Sequence, residues 1–149
     1  MGKELNIKKA LNVIEKEIKK NWKQLDFTFA IENGGKTLKA TADITIQGFD
    51  DSIFVIFDLY AGGGFECRAV YDKIEKTAEV LDLLNEFNGG TLFFKAFARN
   101  DGFLELSNFT ICYDVAKAGE YVSECLFRLI DLDENEAMHK LANLTTRDE

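Results

Sequence analysis

The apolar residues of this chain change period along its length, and that change sets narrow limits on the fold. Ile7, Leu11, Ile14, Ile18, Trp22 and Leu25 recur at three- and four-residue steps, which places them on one side of a helix whose other side is rich in lysine. From Asp26 the period falls to two. Phe27, Phe29 and Ile31 share a strand face, and after a turn at Asn33, Gly34 and Gly35 so do Leu38, Ala40, Ala42, Ile44 and Ile46, with Lys39, Thr41, Asp43 and Thr45 opposite. A turn holding Gly48, Asp50 and Asp51 leads into a strand over 53–61, then Gly62, Gly63 and Gly64, then a strand over 65–71. Short connections make sequence neighbours into sheet neighbours, so these four strands read as an antiparallel meander.

Helical period returns over 76–87, with Ala78, Leu81, Leu84 and Phe87 on one side, and Asn88, Gly89 and Gly90 read as a glycine stop. Two strands, 92–99 and 103–113, flank Asn100, Asp101 and Gly102, and Asp-Gly between apolar runs is a hairpin signal. A closing helix is expected to start at Asp114 as N-cap and to use Val115, Ala118, Val122, Cys125, Leu126 and Leu129. It should break near Asp131 and resume through Ala137, Leu141 and Leu144. The expected fold is α+β, a mainly antiparallel sheet of about six strands with helices, in the order α-β-β-β-β-α-β-β-α.

Composition adds bounds. At 149 residues the chain reads as one α+β domain over 1–149, with 145–149 expected to fray, and it is long enough to bury a core without disulfide or metal. Thirteen Phe, four Tyr and one Trp supply the bulk of that core. Cys67, Cys112 and Cys125 are widely spaced and odd in number, which fits reduced, buried thiols and a cytoplasmic location. The apolar run 53–57 is closed by Asp58, far short of the ~20 residues of a membrane span, so no membrane partner is expected. Residues 1–24 carry seven Lys and three Glu, a net of +4, and the total of −8 then leaves −12 for the remaining 125 residues. A nucleic-acid binder needs the opposite balance, so a nucleic-acid partner is not expected.

The functional signal lies in the strands that are apolar on both sides. In 53–61, Val55, Phe57 and Leu59 alternate with Phe54, Ile56 and Tyr60; in 92–99, Leu92, Phe94 and Ala96 alternate with Phe93 and Phe97. Phe103, Phe109, Ile111 and Tyr113 add apolar groups to one side of the last strand, unless a bulge near Ser107 and Asn108 changes their facing. An antiparallel sheet with one wet side should be polar on that side, as Lys39, Thr41, Asp43 and Thr45 are. Either helices cross both faces, or an apolar surface is left for a partner or second subunit. On the second reading Phe54, Ile56, Tyr60, Phe93 and Phe97 are the partner-binding residues.

No catalytic, cofactor-binding or metal-binding residues emerge. Asp131, Asp133 and Asn135 begin like a calcium loop, but Glu136 replaces the glycine and Ala142 stands where the bidentate Glu belongs. His139 has no second ligand type beside it and reads as a surface histidine, while Cys67 shares its face with Phe65, Ala69 and Tyr71 and reads as packed core. The glycines at 62–64 lead into a strand, so no helix N-terminus follows to hold a phosphate.

The run Leu83, Leu84, Asn85, Glu86, Phe87, Asn88 is similar to the Leu/Ile-Asn-x-x-Asn ending of the middle helix in the YbjN-like family. With Phe93 and Phe94, the hairpin over 99–106 and the closing helix over 121–129, the element order resembles that family and the related class I type III secretion chaperone fold. Four strands before the middle helix exceed the three of the simplest secretion chaperones. The resemblance implies an α+β sandwich that commonly dimerises, without catalytic residues, engaged in chaperone-like or regulatory protein binding. The alternative is an acidic inhibitor or nucleic-acid mimic, in which the carboxylates of 114–136 meet a basic protein and binding falls steeply with salt.

Overall fold

The computed structural model describes residues 4–45 and 52–145. Helix α1 (Ile7–Asn21) is opened by Asn6, whose Oδ1 accepts from the Lys9 amide at 3.1 Å, and closed by Lys19 and Lys20, whose charges suit a helix C-terminus. It buries Ile7, Ala10, Ile14 and Ile18, the apolar stripe of the sequence. Strands β1 (Thr28–Glu32), β2 (Thr37–Thr45), β3 (Ser52–Tyr60) and β4 (Gly64–Lys73) follow as the expected meander. Then come α2 (Ala78–Gly90), β5 (Lys95–Ala98), β6 (Phe103–Ile111), α3 (Ala118–Asp131) and α4 (Glu136–Asn143). Single 3-10 turns at Asn33–Gly35, Val115–Lys117 and Leu132–Glu134 join neighbouring elements.

All six strands pair antiparallel in the order β1-β2-β3-β4-β6-β5. The sixth strand therefore lies against β4, and the fifth is pushed to the border. Directly paired residues share a face, so the register divides the sheet cleanly. One face carries Leu38, Ala40, Ala42 and Ile44 of β2, Ile53, Val55, Phe57 and Leu59 of β3, Phe65, Cys67 and Ala69 of β4, and Leu104 and Leu106 of β6, all buried. The helices stack on that side, α1 against α3 and α2 against α4 and β5, and their apolar residues join these strand residues in one core.

The helix layer is fixed by polar contacts as well as packing. Trp22 Nε1 donates to Ser123 Oγ at 2.9 Å, tying the end of α1 to α3 across a buried interface. Where the two helices cross, a methyl group on Gly119 would lie 2.9 Å from the Glu17 Cβ, so the residue must be small for them to approach. On α2, Thr77 caps the Val80 amide at 3.2 Å.

Several sequence expectations are corrected. The buried stripe of α2 is Val80, Leu83, Leu84 and Phe87, while Leu81 is exposed; the spacing i, i+3, i+4, i+7 holds from Val80, whereas steps of three from Ala78 drift around the helix. Neither Gly89 nor Gly90 takes a positive φ, and α2 runs through both instead of stopping. The fifth strand is shorter than 92–99, because the chain leaves the sheet before Lys95, and Leu92 is fully outside. Asp114 does cap, accepting from Ala116 at 3.0 Å, but it opens a 3-10 turn ahead of α3. The irregularity in β4–β6 pairing falls between Val70 and Lys73, not at Ser107 and Asn108. His139 is half-buried and donates from Nε2 to the Asp133 carbonyl, holding α4 to the turn before it. Ile46, the turn at Gly48, Asp50 and Asp51, and the fraying of 146–149 lie outside the described residues.

Candidate functional site

The face of the sheet turned away from the helices is built from the other half of each alternation. Cross-strand rows can be read from the register. One row runs Asp43, Phe54, Val70, Glu105, Phe97; the next Thr41, Ile56, Arg68, Ser107, Lys95; the third Lys39, Asp58, Glu66, Phe109. A fourth holds Thr37 and Tyr60, with Gly64 and Ile111 beyond. Phe54, Tyr60 and Phe97 keep 40–41% of their surface exposed, Ile111 44% and Phe109 60%. A methyl group on Gly64 would sit 3.3 Å from both the Phe109 and the Tyr60 rings, so the two aromatics cover the bare backbone from either side. The middle of this surface is closed. Ile56 is 9% exposed yet stands outside the main core.

Between the apolar groups the charges are already paired. Arg68 Nη2 donates to Asp58 Oδ2 at 2.8 Å, and its Nε stands 3.1 Å from Glu66 Oε1, an ion-pair distance without a directed hydrogen bond. The guanidinium thus separates two carboxylates that the register places directly opposite each other. Lys39 adds a longer contact to Asp58, 3.9 Å, and to Glu32, 4.0 Å. Toward the β5 border Arg99 holds Asp101 at 2.8 Å and Glu105 at 3.5 Å. Asp58 and Glu105 are nearly covered although no helix lies over them. Burial pushes the Glu105 carboxyl up, while Arg68 and Arg99 pull it back toward its ordinary range. Carboxylates held in this way need little further desolvation when a partner covers them.

Phe54, Ile56, Tyr60 and Phe97 of the expected partner-binding set therefore share this face. Phe93 does not. It sits half-buried before β5 on the helix side, edge-on to Phe94 at 4.9 Å and under the Arg128 guanidinium at 4.5 Å, and its carbonyl accepts from Asn108 Nδ2 at 2.7 Å. Asn108 also accepts from the Tyr121 hydroxyl at 2.5 Å, so the segment is pinned between β6 and α3. The sequence reading placed Phe93 with Phe97 by parity, and parity fails where the chain leaves the sheet before β5 begins. Val70 and the Asp58–Arg68 pair were missed; the alternate positions 66, 68 and 70 of β4 were the available signal.

The arrangement suits non-covalent contact. Among the described residues no group of three or more His, Cys, Asp or Glu is placed to hold a metal ion. Cys67 is wholly buried against the helix layer, where desolvation and its neighbour Cys125 push its thiol up and away from the reactive thiolate. No helix among the described residues is long and apolar enough to cross a membrane.

No known protein family and no curated protein matches this sequence. A solved structure does match the fold: that of the Yersinia pestis type III secretion chaperone SycH in complex with a stable fragment of YscM2. The likeness has a TM-score of 0.50, covers 83% of this chain and 96% of that chain, and carries 12% sequence identity. At that identity it shows a secretion-chaperone-like α+β fold and nothing of the partner.

Proposed function

We propose that this secretion-chaperone-like fold serves a non-enzymatic protein-binding module, chaperone-like or regulatory, which takes a partner segment on the open face of its sheet. The observation that carries the reading is the asymmetry of that sheet, helices on one side and Phe54, Tyr60, Phe97, Phe109 and Ile111 exposed on the other. Isolated surface aromatics need no explanation, but five exposed apolar side chains on one helix-free face, with the charges between them already paired, do. The solved neighbour supports it only by its fold and by being a chaperone in complex with a protein fragment. We also propose a single domain over 1–149 acting in the cytoplasm, where three free cysteines stay reduced, with membership of the YbjN-like family and a homodimeric assembly.

The test is capture of binding proteins from native lysate by the parent and by Phe54→Asp, Tyr60→Asp and Phe97→Asp, each shown to be folded by circular dichroism. A specific protein lost by these folded variants is the expected result. Retention by all three, with release at high salt, would favour an acidic surface meeting a basic protein and end the open-face reading.

A further inference from the structure

The border of the sheet at β6 is only half covered. Strand β5 pairs with Leu104–Ser107 through Lys95–Ala98, and β6 continues to Ile111 without it. Which backbone groups this leaves bare follows from alternation. The Asn88 side chain donates to the Ala96 carbonyl at 2.9 Å and accepts from its amide at 2.7 Å, so Ala96 points its backbone away from β6. Its pair Leu106 must then point toward β4, and Glu105 and Ser107 toward β5. Continuing the alternation, Phe109 and Ile111 turn their N–H and C=O groups to the uncovered side; Cys112, one step on, donates to the Gly63 carbonyl at 2.7 Å on the β4 side, as the pattern demands.

Behind this bare stretch lies a groove of about 360 Å³ between β6 and α3. Buried Phe65 and half-buried Thr110 and Tyr121 line it within, and exposed Asp114, Glu120 and Glu124 face a single Lys117 around it. Glu124 is engaged with Arg128 at 3.2 Å, whereas Glu120 makes no ion pair among the described residues. We infer that the β6 border receives an extended partner segment with a basic residue between two apolar ones, paired to Phe109 and Ile111. The apolar residues, opposite Phe109 and Ile111, extend the open face. The basic residue, opposite Thr110, enters the groove and meets Glu120 and Glu124. This deepens the open-face reading and rests on it, since Phe109 and Ile111 belong both to that face and to the slot.

The probe is the end-blocked peptide Thr-Val-Lys-Val-Thr, followed by amide chemical shifts of the labelled protein. Shifts centred on Phe109 and Ile111 are expected, with roughly tenfold weaker binding when Lys is replaced by Glu. N-methylation of both valines should abolish binding, and N-methylation of the lysine should not, because only the valine amides face β6. Ile111→Pro removes an amide that the native sheet does not use, so it should fold normally and lose the peptide, whereas Ile111→Ala should keep it. Glu120→Gln with Glu124→Gln should erase the preference for Lys. Equal binding of the Lys and Glu peptides, binding indifferent to Ile111→Pro, or no binding overturns the inference. So does a dimer of the free protein that Ile111→Pro dissociates, which would put a second copy in the slot. If the peptide test fails while Phe54→Asp still loses its partner, the border site falls and the open face stands.

Discussion

Glu105 shows how a charged side chain can be held on an uncovered sheet face. Its carboxyl is nearly hidden, 3.5 Å from Arg99, and burial raises its affinity for a proton above that of an ordinary glutamate. A carboxyl with a raised pKa in the folded chain contributes stability below its unfolded pKa and loses it as pH rises through the folded one. Glu105→Gln should therefore gain on the parent in urea denaturation as pH goes from about 4 to about 7, and a gap that narrows instead would contradict the sign. The Asp58–Arg68 pair, by contrast, is short and directed, and it neutralises the centre of the open face. The sequence revealed the residue types of this network but not their pairing. Arg68 and Asp58 are ten residues apart, and only the β3–β4 register turns that separation into contact.

At the scale of elements, alternation decides which half of each strand is structural. Phe57 is buried in the core beneath the helices and Phe54, three residues earlier, is on the opposite side. Phe57→Ala is expected to cost about 3–5 kcal/mol and Phe54→Ala about 1 kcal/mol or less, measured by urea denaturation. Similar losses for the two would mean that both faces are core. The Asn88 amide acts on an element in a different way, by standing in for a neighbouring strand at Ala96. Asn88→Ala leaves both Ala96 backbone groups without that partner and should cost about 1–3 kcal/mol, with β5 amides exchanging hydrogen faster than those of β3. Element order, the first four strands and the stripe of α3 were legible because each rests on a local period. The strand order was not: nothing in the periodicity of 103–111 says that β6 lies next to β4 and that β5 takes the border. Phe93 was misplaced for the same reason, since its position depends on Asn108 and Arg128, both distant in sequence.

The whole molecule is two layers with unequal duties. The helix layer and the strand residues beneath it form one continuous core, and Trp22 and Gly119 fix how α1 and α3 sit within it. Recognition through the opposite surface should depend on apolar contact, so partner capture should change little between low and physiological salt and disappear with Phe54→Asp or Tyr60→Asp. The net charge of −8 then acts chiefly in solubility, with the carboxylates near the β6 border as the local exception. A core confined to one side also has a historical consequence. Substitutions of the exposed side chains on the bare side, away from the buried Asp58–Arg68 pair and Glu105, cost the chain little of its capacity to fold, so a lineage can rewrite those positions while inheriting the scaffold unchanged, and descendants can come to share an architecture long after their sequences have diverged.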